Sequence, residues 1–344
     1  MPDSRTSTYT RGQPGRWHFA RGAAGTGRIG KDAYSRAATR EVPRPVQLNG
    51  VLIEDTFAEA FPMRATRLLI TADEPRWART AATAMTGFAT SVIACGCEAG
   101  IERELAPEET PDGRPGIAVL LFAMSDQDLA RQLVARVGQC VLTCAGTACF
   151  SGLAGDASAG LGKALRYFGD GFQSSKKLAG RRYWRVPVMD GEFLVQDSVG
   201  VQAAVGGGNF LILCTTGEVA RAAALAAIEA MRLLPSVVMP FPGGIVRSGS
   251  KIGSRYKGLI ASTNDAFCPT IRGQTARTAL PPEVGAVLEI VIDGLSEADV
   301  ALATAEGVRA ACGLGRSGGV VAISAGNYGG QLGPYHFHLR RVLQ

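Results

Sequence analysis

Histidine is nearly absent from this chain of 344 residues, which holds only His18, His336 and His338. Two of these lie beyond residue 46, and no Gly-x-Ser-x-Gly elbow occurs. A Ser-His-Asp hydrolase is therefore not expected. His336 and His338 alternate on a strand-like C-terminal segment and share one face. With no third ligand near them they read as structural, and no metal site is expected there. No run of ~18 apolar residues exists, so no membrane-spanning helix is expected. The eight cysteines include Cys95-Gly-Cys97 and the series Cys140, Cys144 and Cys149, but no second pair at zinc-site spacing. Several lie in apolar runs where a free thiol packs as a small hydrophobe. They read as reduced thiols of a cytoplasmic protein. Gly313-Leu-Gly315-Arg-Ser-Gly318 matches a dinucleotide fingerprint in letters only. It follows a helical pattern and precedes a strand, the reverse of the order the fingerprint requires.

Lysine is also scarce, with six against 30 arginines. That bias, with abundant alanine, fits a high-GC bacterial genome. The net charge of +6 is carried by the N-terminus. Residues 1–46 hold eight arginines and one lysine against Asp3, Asp32 and Glu41, and the remainder is neutral. Nucleic-acid binding by the folded part is not indicated. Residues 1–46 lack apolar periodicity and read as a disordered basic tail. A transit peptide and a start codon set too far upstream are both consistent with it.

What the chain does have is a repeated pattern. Val46–Pro62 and Val188–Ala204 each read strand, turn, strand, with Asn49-Gly50 and Asp190-Gly191 as hairpin signals. Each is followed by an apolar strand (Arg67–Thr71, Phe210–Cys214), then a helix (Trp77–Met85, Val219–Met231). Strands are then expected at Thr90–Ala94 and Ser236–Met239. A second round follows in each half. Ile117–Phe122 leads to a helix capped at Ser125 and ended by Gly138, then a strand at Cys140–Cys144. Ala286–Ile292 leads to a helix capped at Ser296, then a strand at Val320–Ser324. The expected fold is α+β: two ferredoxin-like β-α-β-β-α-β lobes related by internal duplication. The lobes are 47–150 and 188–344, joined by a connector, 151–187. The connector's aromatic and arginine groups, such as Tyr167 and Arg181-Arg-Tyr-Trp-Arg185, either stack on a flat ligand or pack across the seam.

One stretch fits neither pattern. Phe241–Thr270 is glycine-rich, hydroxyl-rich and basic, yet Phe241, Ile245, Ile252, Leu259, Ile260 and Phe267 argue against disorder. A loop of this length in a compact domain is usually functional. Gly243 and Gly244 free the backbone, and Ser248, Ser250, Ser254, Ser262 and Thr263 supply hydroxyls. Arg247, Lys251, Arg255 and Lys257 supply charge for an anionic or carbonyl-bearing ligand, and Asn264 and Asp265 extend the set. A long solvated connection is the alternative.

Several ordered strings carry a resemblance: Asp55–Phe61, Glu109–Gly116, Phe168-Gly-Asp-Gly171, Phe241–Val246, Ala261–Ala266, Cys268-Pro-Thr270 and Ile323–Asn327. Through them residues 47–343 resemble the formylmethanofuran:tetrahydromethanopterin formyltransferase family. The tail has no counterpart there, and Cys95-Gly-Cys97 departs from the archaeal pattern. The resemblance implies the bacterial version, which in methylotrophs supplies the formyltransferase subunit of a formyltransferase/hydrolase complex. It implies a homo-oligomer, dimer or tetramer, with a cleft at a subunit interface. The implied reaction moves a formyl group reversibly between the methanofuran amine and N5 of tetrahydromethanopterin in a ternary complex. The two coenzymes are cosubstrates, and no metal or prosthetic group is expected. Their anionic groups give Arg247, Lys251 and Arg255 ionic partners.

Such a transfer passes through a tetrahedral oxyanion. It needs positioning, donors to the oxyanion and one proton moved between amines. Glu289 interrupts the apolar strand Ala286–Ile292, where burial raises a carboxyl pKa into the acid/base range. The resemblance places this segment at the family's active-site glutamate. A solvent-facing glutamate on a half-exposed strand is the alternative, and Asp265 and Asp55 are further carboxylate candidates. Two other functions remain open: a non-catalytic coenzyme-binding structural subunit of the complex, and an enzyme acting alone on other formyl donors.

Overall fold

The computed structural model describes residues 46–331 and 333–344, so residues 1–45 of the expected disordered tail lie outside the described residues, while Val46 begins a strand rather than ending the tail. In chain order the elements are β1 (Val46–Leu48), β2 (Val51–Ile53), β3 (Phe57–Ala72), α1 (Pro75–Thr86), β4 (Glu98–Leu105), β5 (Gly116–Ala123), α2 (Asp126–Arg136) and β6 (Thr147–Ser151). Then come β7 (Ala157–Gly160), α3 (Gly162–Leu165), β8 (Ser174–Leu178), β9 (Arg181–Val188), β10 (Gly191–Gln196), β11 (Ser198–Cys214) and α4 (Gly217–Met231). The rest are β12 (Val237–Val238), β13 (Ser250–Ile252), β14 (Ala261–Thr263), β15 (Ala286–Gly294), α5 (Glu297–Ala311), β16 (Val320–Ser324), β17 (Tyr335–His338) and α6 (Leu339–Val342). The protein is a mixed α+β structure on one large sheet, with β13 and β14 as a separate two-stranded arm.

The two longest strands organise that sheet. The second half of β3 is flanked by β5 and β6, and β4 pairs beyond β5, giving the order β6-β3-β5-β4. The second half of β11 is flanked by β15 and β16, and β12 pairs beyond β15, giving β16-β11-β15-β12. Between these stretches β3 and β11 pair with each other from Met63↔Ala204 outward. A bulge between Val205 and Gly208 interrupts the β11–β15 ladder where the pairing of β11 with β3 ends. It needs glycine: Gly207 has φ +83°, and a Cβ at Gly206 would fall 2.1 Å from Met63 Sδ. The Asn49-Gly50 turn closes the β1–β2 hairpin with both residues at positive φ. β2 then lies parallel to β16, as β10 lies parallel to β6.

Helices cover one face. α1 and α2 bury Ala78, Ala82, Leu129 and Leu133 on Leu68, Ile70, Val119 and Leu121. The alanine face of α4 lets it lie close to α5 over Phe210, Ile212, Ile290 and Ile323. The caps expected at Ser125 and Ser296 are present. Each hydroxyl accepts the backbone N–H three residues on, at 3.1 Å, and Thr216 does the same for α4 at 3.3 Å.

Two expected strands are absent. Thr90–Ala94 forms turns, with Phe88 and Ala94 at positive φ and Val92 and Ile93 about half exposed. The strand forms instead at β4, whose residues find cross-strand partners on β5. Nor is Cys140–Cys144 a strand. Gly138 does not end the helix, because α2 continues as a π-helical turn, Val137–Val141. Val137 and Val141 are both fully buried while Gln139, which a strand would place on the same face, is exposed, as helical backbone requires. The 151–187 stretch carries β7, α3, β8 and most of β9.

A buried acid pair joins the two halves. Asp293 on β15 and Glu98 on β4 each leave one buried oxygen without a partner, Oδ2 and Oε2, while Asp293 Oδ1 accepts the Gly207 N–H at 2.9 Å. Burial, then the negative charge of Glu98, hold Asp293 well above its ordinary 3.8. The folded chain thus keeps a proton that the unfolded chain releases near pH 4. Stability from this site is full below that value and is lost as pH rises through the folded pKa. Asp293→Asn, which carries donor hydrogens permanently, is expected to flatten that fall. Its melting temperature should drop by about 2 °C less than the parent's between pH 5 and 9. Parallel pH curves in the two proteins would show that Asp293 is not the group that keeps the proton.

Candidate active site

Among the described residues, the 246–285 segment covers the face of β11, β15 and β16 opposite the helices. There Leu280, Val284 and Phe267 pack on Leu211, Leu213 and Val321. Glu289 sits on this face. Register places it beside Leu211, which is in turn beside Ser324. The segment is pinned to the strand at this point: Val246 and Glu289 exchange both backbone hydrogen bonds, at 2.8 and 2.9 Å. A recess of about 30 Å³ opens there, lined by Arg247, Gly249, Asn264, Phe267, Cys268 and Glu289 among others.

Two effects set the Glu289 carboxyl. Burial pushes it up to about 7, and a hydrogen bond from Asn209 Nδ2, 3.1 Å from Oε1, pulls it down. Asn209 is itself fixed, because its Oδ1 accepts the Gly326 N–H at 2.8 Å. At neutral pH the carboxyl therefore exists in both forms, as a proton carrier requires. Removing the Asn209 donor in Asn209→Ala is expected to raise the Glu289 pKa by about one unit. The matching limb of the pH–rate profile should move up with it. An unmoved limb would detach it from Glu289.

The loop residues divide among several places. Arg247 borders the recess, exposed and without an ion pair among the described residues, next to exposed Ser248. Asn264 shares the recess, and its N–H donates to Gly249 O at 2.8 Å. Ser250, Lys251, Ser262 and Thr263 lie on the β13–β14 arm, paired Ser250↔Thr263 and Lys251↔Ser262. Lys251 Nζ donates to Ser262 Oγ at 3.1 Å and pairs with Asp265 at 3.6 Å. Thr275 and then Arg277 hold Asp265 below the usual carboxylate range, through contacts of 2.8 and 2.9 Å. Asp265 is therefore a fixed anion that tethers the arm. Ser254 accepts the Tyr256 N–H near the arm tip, where Arg255, Lys257, Leu259 and Ile260 are exposed. Gly243 and Gly244 are not beside Glu289. They line a separate cleft of about 690 Å³ between α1, β4 and Val237–Phe241. Gly244 has φ +84°, and a Cβ there would meet Ile228 Cδ1 at 2.4 Å. Asp55 pairs with Arg340 at 3.1 Å.

Sequence reasoning did not reach Asn209, Glu59 or Tyr328. Glu59 is buried and accepts the backbone N–H of Gly330 at 2.6 Å, and that of Tyr328. The Tyr328 phenol donates to Ser250 O at 3.3 Å. Burial, then the Glu289 and Glu59 charges, raise its pKa. Tyr328 thereby links the Glu289 face to the arm. Among the described residues no group of three or more His, Cys, Asp or Glu is placed to hold a metal ion, and no helix is long and apolar enough to cross a membrane. His336 and His338 both lie against Phe57, with ring centroids 4.9 and 5.0 Å away.

The family model described as formylmethanofuran-tetrahydromethanopterin formyltransferase matches residues 46–188, and the model of its proximal lobe matches 191–342. The chain is 66% identical over 296 residues to the formylmethanofuran–tetrahydromethanopterin formyltransferase of Methylococcus capsulatus, covering 86% of this chain and 99% of that protein. It is 57% identical over 303 residues to a component of the formyltransferase/hydrolase complex of Methylorubrum extorquens, covering 86% and 97%. Among solved structures, the formyltransferase/hydrolase complex of Methylorubrum extorquens with methylofuran contains a similar chain. The TM-score is 0.85 at 56% identity, over 87% of this chain and 99% of that one. The chain therefore belongs to the formylmethanofuran–tetrahydromethanopterin formyltransferase family.

Proposed function

We propose that this chain is a formyltransferase that moves a formyl group reversibly between N5 of tetrahydromethanopterin and the amine of methanofuran, within a ternary complex and without a prosthetic group. The observation that carries the reading is Glu289: a carboxyl with a pKa of about 7, oriented by Asn209, at a recess bordered by an unpaired arginine. As the attacking amine adds to the formyl carbon, Glu289 takes its proton. It returns that proton to the departing amine as the tetrahedral intermediate collapses. Arg247 and Asn264 border the recess and, with the adjacent Ser248, hold the substrates, with Ser250, Lys251, Ser254, Ser262 and Thr263 extending along the arm. Asp265 fixes that arm, and Gly243 and Gly244 shape the neighbouring cleft. The enzyme works in the cytoplasm as a homo-oligomer, and as part of a formyltransferase/hydrolase complex serving one-carbon metabolism. The matching strand orders of the two halves support a ferredoxin-like duplication, with lobes 47–150 and 188–344.

The test is the purified full chain without partner subunits, assayed spectrophotometrically for formyl transfer between the two coenzymes. Transfer supports the reading. A folded chain that binds both coenzymes and transfers nothing is a structural subunit instead.

A further inference from the structure

Residues 163–182 hold six cations, Lys163, Arg166, Lys176, Lys177, Arg181 and Arg182, against a single carboxylate, Asp170. None of the six makes an ion pair among the described residues, whereas Arg185 just beyond them is paired with Glu192. Arg64, Arg67, Arg114 and Arg316 are likewise neutralised elsewhere. Because residues 47–344 are neutral overall, this is a local concentration of uncompensated positive charge.

The charge lies on a free sheet edge. Among the described residues β8 pairs only with β9 and ends the strand order, and all five of its residues are exposed. Its outer side offers unpaired backbone N–H and C=O groups. Lys177 stands directly opposite Arg182, a like-charge pairing that costs stability until an anion lies between them. The cations have a firm base. The Arg166 guanidinium lies 4.7 Å from the ring centroids of both Tyr167 and Trp184, and Arg182 donates to Ser175 Oγ at 2.8 Å. Edge lysines repel neutral and basic strands, and the same charges select an acidic one.

We propose that β8 is a docking edge for an acidic extended segment of a partner polypeptide. The segment adds as a further strand, with its carboxylates against Lys176, Lys177, Arg181 and Arg182. The surface is independent of formyl transfer: β11, β3, β6, β10 and β9 separate it from β15, which carries Glu289.

The test uses the full chain and a fluorescent decapeptide of alternating Glu and Val, followed by anisotropy near physiological salt. The expected result is saturable binding, weakened about tenfold or more in Lys177→Glu/Arg182→Glu, with formyl transfer unchanged in that variant as the check on folding. The same peptide N-methylated at every second residue keeps its charge and loses the strand edge, so it should bind about tenfold more weakly. Amide exchange at Ser174–Leu178 should slow only with the unmodified peptide. Equal binding of the methylated peptide, undiminished binding by the double variant, displacement by tripolyphosphate at matched charge, or no binding at all would each overturn the proposal.

Discussion

Glu289→Gln is expected to lower kcat for formyl transfer by about 10²–10⁴-fold, the range in which a positioned general acid/base contributes. Glutamine keeps the size of the side chain, and its amide oxygen still accepts from Asn209, so the recess and the fold persist. Only the titrating proton is lost. Coenzyme binding should change little, so kcat and kcat/KM fall together, as they do when an interaction made only in the transition state is removed. The pH profile makes the assignment specific. Burial places the Glu289 carboxyl at about 7, so the parent should show a limb near that pH, and the variant should lack it. A variant that keeps its rate sinks the proton role while leaving formyl transfer standing. A variant that loses rate but keeps the limb moves the titration to another group.

Glu289 was visible in the sequence because one charge stood in an otherwise apolar strand, and β15 and β16 fall where the pattern put them. Ser125 and Ser296 were legible for a similar reason: a cap is a local event written within four residues. What sequence reading missed is non-local. Asn209 meets Glu289 across 80 positions, and Glu59 meets Tyr328 across 269. Asn209 and Glu59 also interrupt apolar strands, yet nothing nearby tells which partner each will find. The strand misreadings have another origin. Thr90–Ala94 and Cys140–Cys144 have the composition of strands, but tertiary pairing decided. β5 accepted β4 as its neighbour, and the core accepted Val137 and Val141 but not Gln139, which a strand would have put beside them. The loop reads in the sequence as one stretch, and the chain folds it into three places: a recess border, a tethered arm and the wall of a separate cleft.

Arg67→Met is expected to destabilise the chain by about 3–5 kcal/mol, as removal of one partner from a buried ion pair does. The Glu102 side chain is only 1% exposed, and two hydrogen bonds of 2.6 Å hold it to Arg67 Nε and Nη2. Its third partner is the Ser236 N–H, at 2.6 Å, and Arg67 also reaches Ser236 Oγ at 3.2 Å. Ser236 has φ +68°, which a serine adopts only when its surroundings hold it there. Its carbonyl accepts from Leu295 N–H at 2.9 Å, just beyond the strand that carries Glu289. The pair therefore does more than neutralise itself: it ties β3 and β4 to the entry of β12. Methionine fills the space of the arginine stem but leaves Glu102 charged, buried and short of donors. Adding Glu102→Gln should recover most of the loss, because the amide oxygen still accepts from Ser236 and no buried charge remains. Urea denaturation of the parent and the two variants measures this. A single-variant cost below about 1 kcal/mol would place Glu102 in solvent reach. A double variant as unstable as the single would locate the energy in the packing of the arginine stem rather than in its charge.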